Sequence, residues 1–276
     1  MVVTELPVPA TISPARTRGA ILPGVVRSEW TKLRTVRSTY WTLFAAAVAT
    51  IGLSAILCAV YIAQYSHVSA SDKATFNPAS FSLTGGYLAQ LAIAVLGVLV
   101  ITSEYSSGMI RSTFAAVPRR LTVLAAKAMV FVGVTLVVTT AAALVAFLVG
   151  QMILSSKGVG VSLGSPGALR SVFGTGLYLA VLGLLALSLG TIIRKTAGGI
   201  AAVFGLIFVL PIIGGLLPSS MNAIQEYFPS AAGQALIYGS RHGVTALSPW
   251  VGFGVFAAYG VVALVLASLS LVRRDA

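Results

Sequence analysis

Six apolar runs, each long enough to cross a bilayer as a helix, dominate this chain, at about 40–64, 84–103, 121–154, 171–193, 197–217 and 249–272. A helix of about 20 apolar residues spans the hydrocarbon core, and in lipid the backbone polar groups must be satisfied within the segment. These runs therefore require an all-α, polytopic membrane protein with six transmembrane helices. Only 9% of the residues are charged, against roughly a quarter in a soluble domain. The third run, Leu121 to Leu154, extends about 51 Å at 1.5 Å per residue. That exceeds a ~30 Å core, so its first turns, around Lys127, are expected among the headgroups.

The charge distribution sets an expected orientation. Of the 18 Lys and Arg residues, 14 fall in the N-terminal segment, residues 104–127, positions 194–195 and the C-terminus. Lys73, Lys157, Arg170 and Arg241 make up the other 4. An even number of spans puts both termini on one side, and the positive-inside rule makes that side the cytoplasm. The net charge of +12 is thus topological, and nucleic acid is not an expected partner.

Residues 1–20, with Pro7, Pro9 and Pro14 and no apolar signal-peptide core, read as a disordered cytoplasmic tail. Residues 21–39 read as an amphipathic helix in the membrane interface. Pro23 suits its first turn, and Val26, Trp30, Leu33, Val36 and Tyr40 share one face. Arg27, Thr31 and Arg34 point elsewhere, and Glu29 is placed to pair with Lys32 at i,i+3. Arg37 interrupts the stripe unless its head snorkels to the phosphates.

The stretch Ser103–Lys127 is the main polar, basic interruption between two apolar runs. A short helix from Glu104 to Val117 is expected there, with the acid favoured near its start and Pro118 stopping it. Gly108 allows close backbone approach, Met109, Ile110 and Phe114 are apolar docking residues, and Arg111 is a charged contact. The bland reading is a positively charged loop.

Arg27-Ser28-Glu29-Trp30-Thr31-Lys32, the six spans, and the stretches Glu104-Tyr105-Ser106-Ser107-Gly108-Met109-Ile110-Arg111 and Pro118-Arg119-Arg120 together resemble the permease subunits of ABC-2 type transporters, from about residue 21 onward. The resemblance implies a six-helix transmembrane domain over 40–276 and an interfacial helix bearing Arg27, Glu29, Trp30, Lys32, Leu33 and Arg34. It also implies a cytoplasmic coupling helix, with Glu104, Tyr105, Gly108, Met109, Ile110, Arg111, Phe114, Arg119 and Arg120 facing a separate ABC ATPase. It further implies two ATPase copies holding ATP and Mg, and a second permease as homodimer or similar partner. The setting implied is a bacterial plasma membrane, and the function is export.

The chain itself is not expected to be an enzyme or to bind a cofactor. Its nearest phosphate-loop match, Gly190–Thr196, has Arg194 where a glycine is required and ends a span instead of following a strand. No run has an acid in its middle, which disfavours a gradient-driven carrier. His67 and His242 lie on separate connections, so no metal site is expected. A non-transporting sensor or scaffold is the remaining alternative. Tyr87 and Gln90 at i,i+3, with Phe204 and Phe208 at i,i+4, are candidate substrate-path residues, although polar groups in spans more often bond between helices. A largely uncharged path suits an amphipathic or apolar small molecule, peptide or lipid-like substrate. Pro211 is expected to kink the fifth run. Met221, Ile224 and Phe228 predict a short surface or re-entrant helix before Pro229.

Overall fold

The computed structural model describes residues 21–216, 218, 222–239 and 247–274. The N-terminal tail, Met221, Arg241 and His242 lie outside the described residues. All regular structure among the described residues is helical, and six helices or helix stacks are long and apolar enough to cross a membrane.

Helix α1 (Ile21–Thr35) is followed by α2 (Arg37–Ala63), with Val36 extended between them at φ −80° and ψ 107°. The break is shorter than any loop and ends the first helix before the expected stripe is complete. Val36 and Tyr40 thus leave that face, and Arg37 starts the first span instead of interrupting an interfacial helix. The inward face of α1 carries Val25 and Glu29, both buried, whereas Trp30 is 49% exposed. α1 lies against α7.

Two short helices follow on the far connection, α3 (Ala70–Thr75) and α4 (Pro78–Phe81). Each has a side-chain cap: Ser69 accepts from the Asp72 amide, and Asn77 from the amides of Ala79 and Ser80. Such caps satisfy the amide donors that a helix start leaves unpaired. The second span is α5 (Gly86–Ser106), the short α6 (Met109–Ala116) follows, and α7 (Arg120–Ser155) is the long third span. α8 (Ala168–Ile193) is the hub of the bundle, packed by α5, α7 and later helices. Its approach to α5 depends on paired glycines. A Cβ on Gly97 would come 2.7 Å from the Gly183 carbonyl, the kind of close backbone contact that holds helices together without a hydrophobic driving force.

After a tight turn at Arg194 and Lys195, the fifth span is a stack: α9 (Thr196–Phe204), one π turn (Gly205–Val209) and α10 (Leu210–Gly214). In the π turn the Leu210 amide donates to the Gly205 carbonyl. Pro211 has no amide to donate, and its ring crowds the carbonyl four residues back. The wider turn immediately before it is where the helix absorbs that conflict.

Beyond it, α11 (Asn222–Gln225) is a single turn, and a longer helix, α12 (Pro229–Tyr238), begins at the proline expected to end one. Proline at N1 starts a helix as readily as it stops one. α12 packs between α8 and the last span, α13 (Pro249–Arg273). The Ser171 hydroxyl donates to the Ile237 carbonyl at 2.6 Å, and Gly233 lies against Tyr178 and Phe256. Tyr178 is ten residues into α8, about 15 Å along its axis, so α12 enters the bundle instead of lying on its surface.

Candidate coupling site

The basic end of the bundle is built around the junction of α5 and α6. α5 does not stop at Ser103 but continues to Ser106. Gly108, at φ +72°, then turns the chain in the left-handed region that glycine adopts without steric cost. The short helix therefore begins at Met109, not Glu104. It ends at Ala116, with Val117 as its cap and Pro118 beyond.

This shift reverses the role expected of Glu104. It sits in the last turn of α5, where a negative charge opposes the helix dipole, and it is buried. The compensation comes from lysines. Lys127 Nζ donates to Glu104 Oε1 at 2.8 Å and to Glu29 Oε2 at 2.5 Å. Lys32 Nζ donates to Glu29 Oε1 at 2.8 Å, to Glu104 Oε1 at 3.1 Å and to Thr113 Oγ1 at 3.4 Å. Glu29, Glu104 and Lys127 are each about 3% exposed. The expected Glu29–Lys32 pair is present, but as one edge of a four-residue charge cluster joining α1, α5 and α7, to which Thr113 of α6 is hydrogen-bonded. Lys127 is correspondingly buried within the protein, its charge met by two carboxylates. Burial alone would lower the Lys32 pKa, yet its hydrogen bond to Glu29 and the charge of Glu104 outweigh that and raise it. The ammonium is therefore charged throughout the neutral range.

The remaining residues of this segment divide between anchoring and exposed positions. Ile110 is buried, and Phe114 packs with Val117 against a small cluster of Val25, Val123 and Ala126. The Arg120 guanidinium lies 5.5 Å from the Phe114 ring centroid, and its Nη1 donates to the Leu271 carbonyl at 3.0 Å. Tyr105 is half-buried beneath Arg194, 5.2 Å away. Gly108, Met109, Arg111 and Arg119 are exposed. On α1, Arg27, Trp30 and Arg34 are exposed, and Leu33 is half-buried. The Gly190–Thr196 run is a helix end, a left-handed Arg194 at φ +61° and a new helix start, a geometry with no strand-to-loop phosphate cradle.

The proposed path residues fall in two separate places. Gln90 is buried and accepts a hydrogen bond from the Tyr178 hydroxyl at 2.8 Å, while the Tyr87 hydroxyl donates to Gln234 Oε1 at 3.1 Å. Tyr87 also stacks on Tyr238 of α12 at 6.0 Å. These bonds tie α5 to α8 and α12. Phe204 and Phe208 pack on each other at 5.3 Å, both half-buried, around the π turn. Tyr178→Phe is expected to cost about 1 kcal/mol of stability, with a coupling to Gln90→Leu near 0.6 kcal/mol, the average for such interhelical bonds. A double-mutant cycle on thermal unfolding in detergent measures both.

His67 is exposed, and no group of three or more His, Cys, Asp or Glu gathers among the described residues. No curated protein sequence matches this chain. The family model described as "ABC-2 family transporter protein" matches residues 25–212, from within α1 to α10. The matched stretch holds all four residues of the charge cluster and the whole of α6, and it covers more than half of the chain. With six helices able to cross a membrane, the chain belongs to the ABC-2 transporter family, as a multi-pass membrane permease of the kind that associates with an ABC ATPase.

Proposed function

We propose that this permease is the membrane half of an ATP-driven exporter, and that α6 is its coupling helix. The observation that carries the reading is the two-sided character of α6. Ile110 and Phe114 hold it to the bundle, while Met109 and Arg111 project outward as an apolar and a charged contact for a second protein. Two ATPase subunits, each seated on one α6, would bind ATP and Mg. A second permease copy, identical or similar, completes the pathway. Closure of the ATPase pair pushes α6, and the charge cluster carries that push to α1, α5 and α7. The basic end of the bundle is cytoplasmic on the positive-inside rule, which places both termini in the cytoplasm of a bacterial plasma membrane. Substrate then enters from the cytoplasm or inner leaflet and leaves outward. With no carboxylate midway along the described spans, an amphipathic or apolar substrate fits better than a strongly charged one.

The test is reconstitution with an ABC ATPase subunit that co-purifies with this chain. Permease-stimulated ATP hydrolysis is expected, and Arg111→Glu is expected to reduce it about tenfold, the equivalent of 1.4 kcal/mol at the contact. Full stimulation by the Arg111→Glu protein would remove α6 from the coupling role.

A further inference from the structure

A cavity of about 300 Å³ opens beside the charge cluster, between α1, the start of α2, α5, α6 and α7. Its lining changes character along α5. Leu96, Leu99 and Val100 form an apolar wall, and Ser103 and Glu104 head it. Leu96 to Glu104 is about 12 Å of helix, so the cavity runs from the end of the span roughly two turns inward. In a membrane protein that is the depth at which headgroups give way to acyl chains.

The polar head of the cavity contains an incomplete site. Glu29 uses both carboxylate oxygens, and Lys32 has three acceptors within reach. Glu104 Oε1 accepts from both lysines, while Glu104 Oε2 is buried and accepts from nothing. A buried carboxylate oxygen without a donor is costly. The cluster holds two acids and two lysines, so no surplus positive charge draws in an anion. What it lacks is a donor directed at Oε2, because Lys127 spends its bonds on Glu104 Oε1 and Glu29 Oε2. The last torsion of glutamate is soft, so a modest rotation of the carboxylate brings Oε2 toward the cavity that Glu104 lines, with the flexible Lys127 stem following Oε1.

We propose that this cavity binds a membrane phospholipid with a primary-ammonium headgroup, a phosphatidylethanolamine. Its ammonium donates to Glu104 Oε2, and one acyl chain lies along Leu96, Leu99 and Val100. A phosphatidylcholine has the same phosphate and chains, but its quaternary nitrogen has no N–H to donate. A second apolar cavity of about 200 Å³ shares Leu33 and Thr39 with the first, giving room for the other chain. The bound lipid would fill the space between α1 and the spans at the level of the charge cluster. This reading needs the chain to be in a bilayer but is independent of transport direction and of the ATPase.

The experiment is native mass spectrometry of the full chain, purified in detergent with an equal mixture of phosphatidylethanolamine, phosphatidylcholine and phosphatidylglycerol. Phosphatidylethanolamine is expected to be retained about tenfold over phosphatidylcholine, corresponding to 1.4 kcal/mol. Glu104→Gln is expected to erase that preference. Leu99→Trp, which fills the apolar wall and leaves the charges alone, is expected to lower retention of the favoured lipid by the same factor. Equal retention of the ethanolamine and choline lipids in the native chain overturns the proposal, as does a preference for phosphatidylglycerol or a Leu99→Trp protein that holds lipid as before. Should Glu104→Gln not fold, the headgroup comparison and Leu99→Trp decide it alone.

Discussion

Lys127→Met is expected to destabilise the folded chain by about 3–5 kcal/mol, the range seen when one partner of a buried ion pair is removed. Methionine nearly preserves the length and apolar stem of lysine, so packing changes little and the charge is what is lost. Glu29 and Glu104 would then share Lys32 alone, leaving a net negative charge at a site about 3% exposed. The double variant Lys127→Met with Glu104→Gln keeps Glu29 paired with Lys32 at 2.8 Å and removes the surplus acid. It is expected to recover most of the loss. Thermal unfolding of the purified protein in detergent measures both. A single variant within about 0.5 kcal/mol of the parent, the range of ordinary surface changes, would mean that the cluster is not a closure between α1 and the spans. So would a double variant no better than the single one.

The six spans were legible because bilayer thickness imposes a length that any sequence must meet, and the observed limits differ from the expected ones by a few residues. A disturbance at Pro211 was legible too, since a missing amide inside a helix has few outcomes, but it takes the form of a π turn before the proline. α12 was not. Its ten residues are too short for a span signal, and Pro229 reads equally as an end or as a beginning. The charge cluster was half visible. Glu29 and Lys32 are neighbours on one helical turn, but Glu104 and Lys127 meet only because α5 and α7 run antiparallel past α6. One signal pointed there: Lys127 lies within an apolar run, and an ionisable residue in a span calls for a named partner. With only six acids in the chain, Glu104 at the end of the preceding span was the nearest candidate. The helix start at Met109 was hidden by the acid at 104, which resembles an N-terminal residue of a helix and instead ends one.

Gly108 is where that start is fixed, and it supports the second large effect. Its φ of +72° is disfavoured by about 1–2 kcal/mol for an ordinary L-residue, and a β-branched residue there is a clear outlier. Nothing lies within 4 Å of a Cβ built on Gly108, so a substitution acts through the backbone and not through a clash. In Gly108→Val the relaxed backbone lets α5 continue as helix, which draws Ile110 from its buried position and Thr113 from Lys32. A shift of about 2 kcal/mol raises the undocked population of α6 roughly thirtyfold. Tryptic cleavage after Arg111, followed by mass spectrometry, should accelerate by the same factor where opening is fast relative to cutting. Gly108→Asn is the control, because asparagine visits the left-handed region readily, and its cleavage should stay near that of the parent. Equal acceleration in both variants would show that side-chain bulk, not the sign of φ at residue 108, sets the position of α6. No acceleration in the valine variant would show that Ile110 and Phe114 hold α6 in place whatever the backbone at 108 prefers.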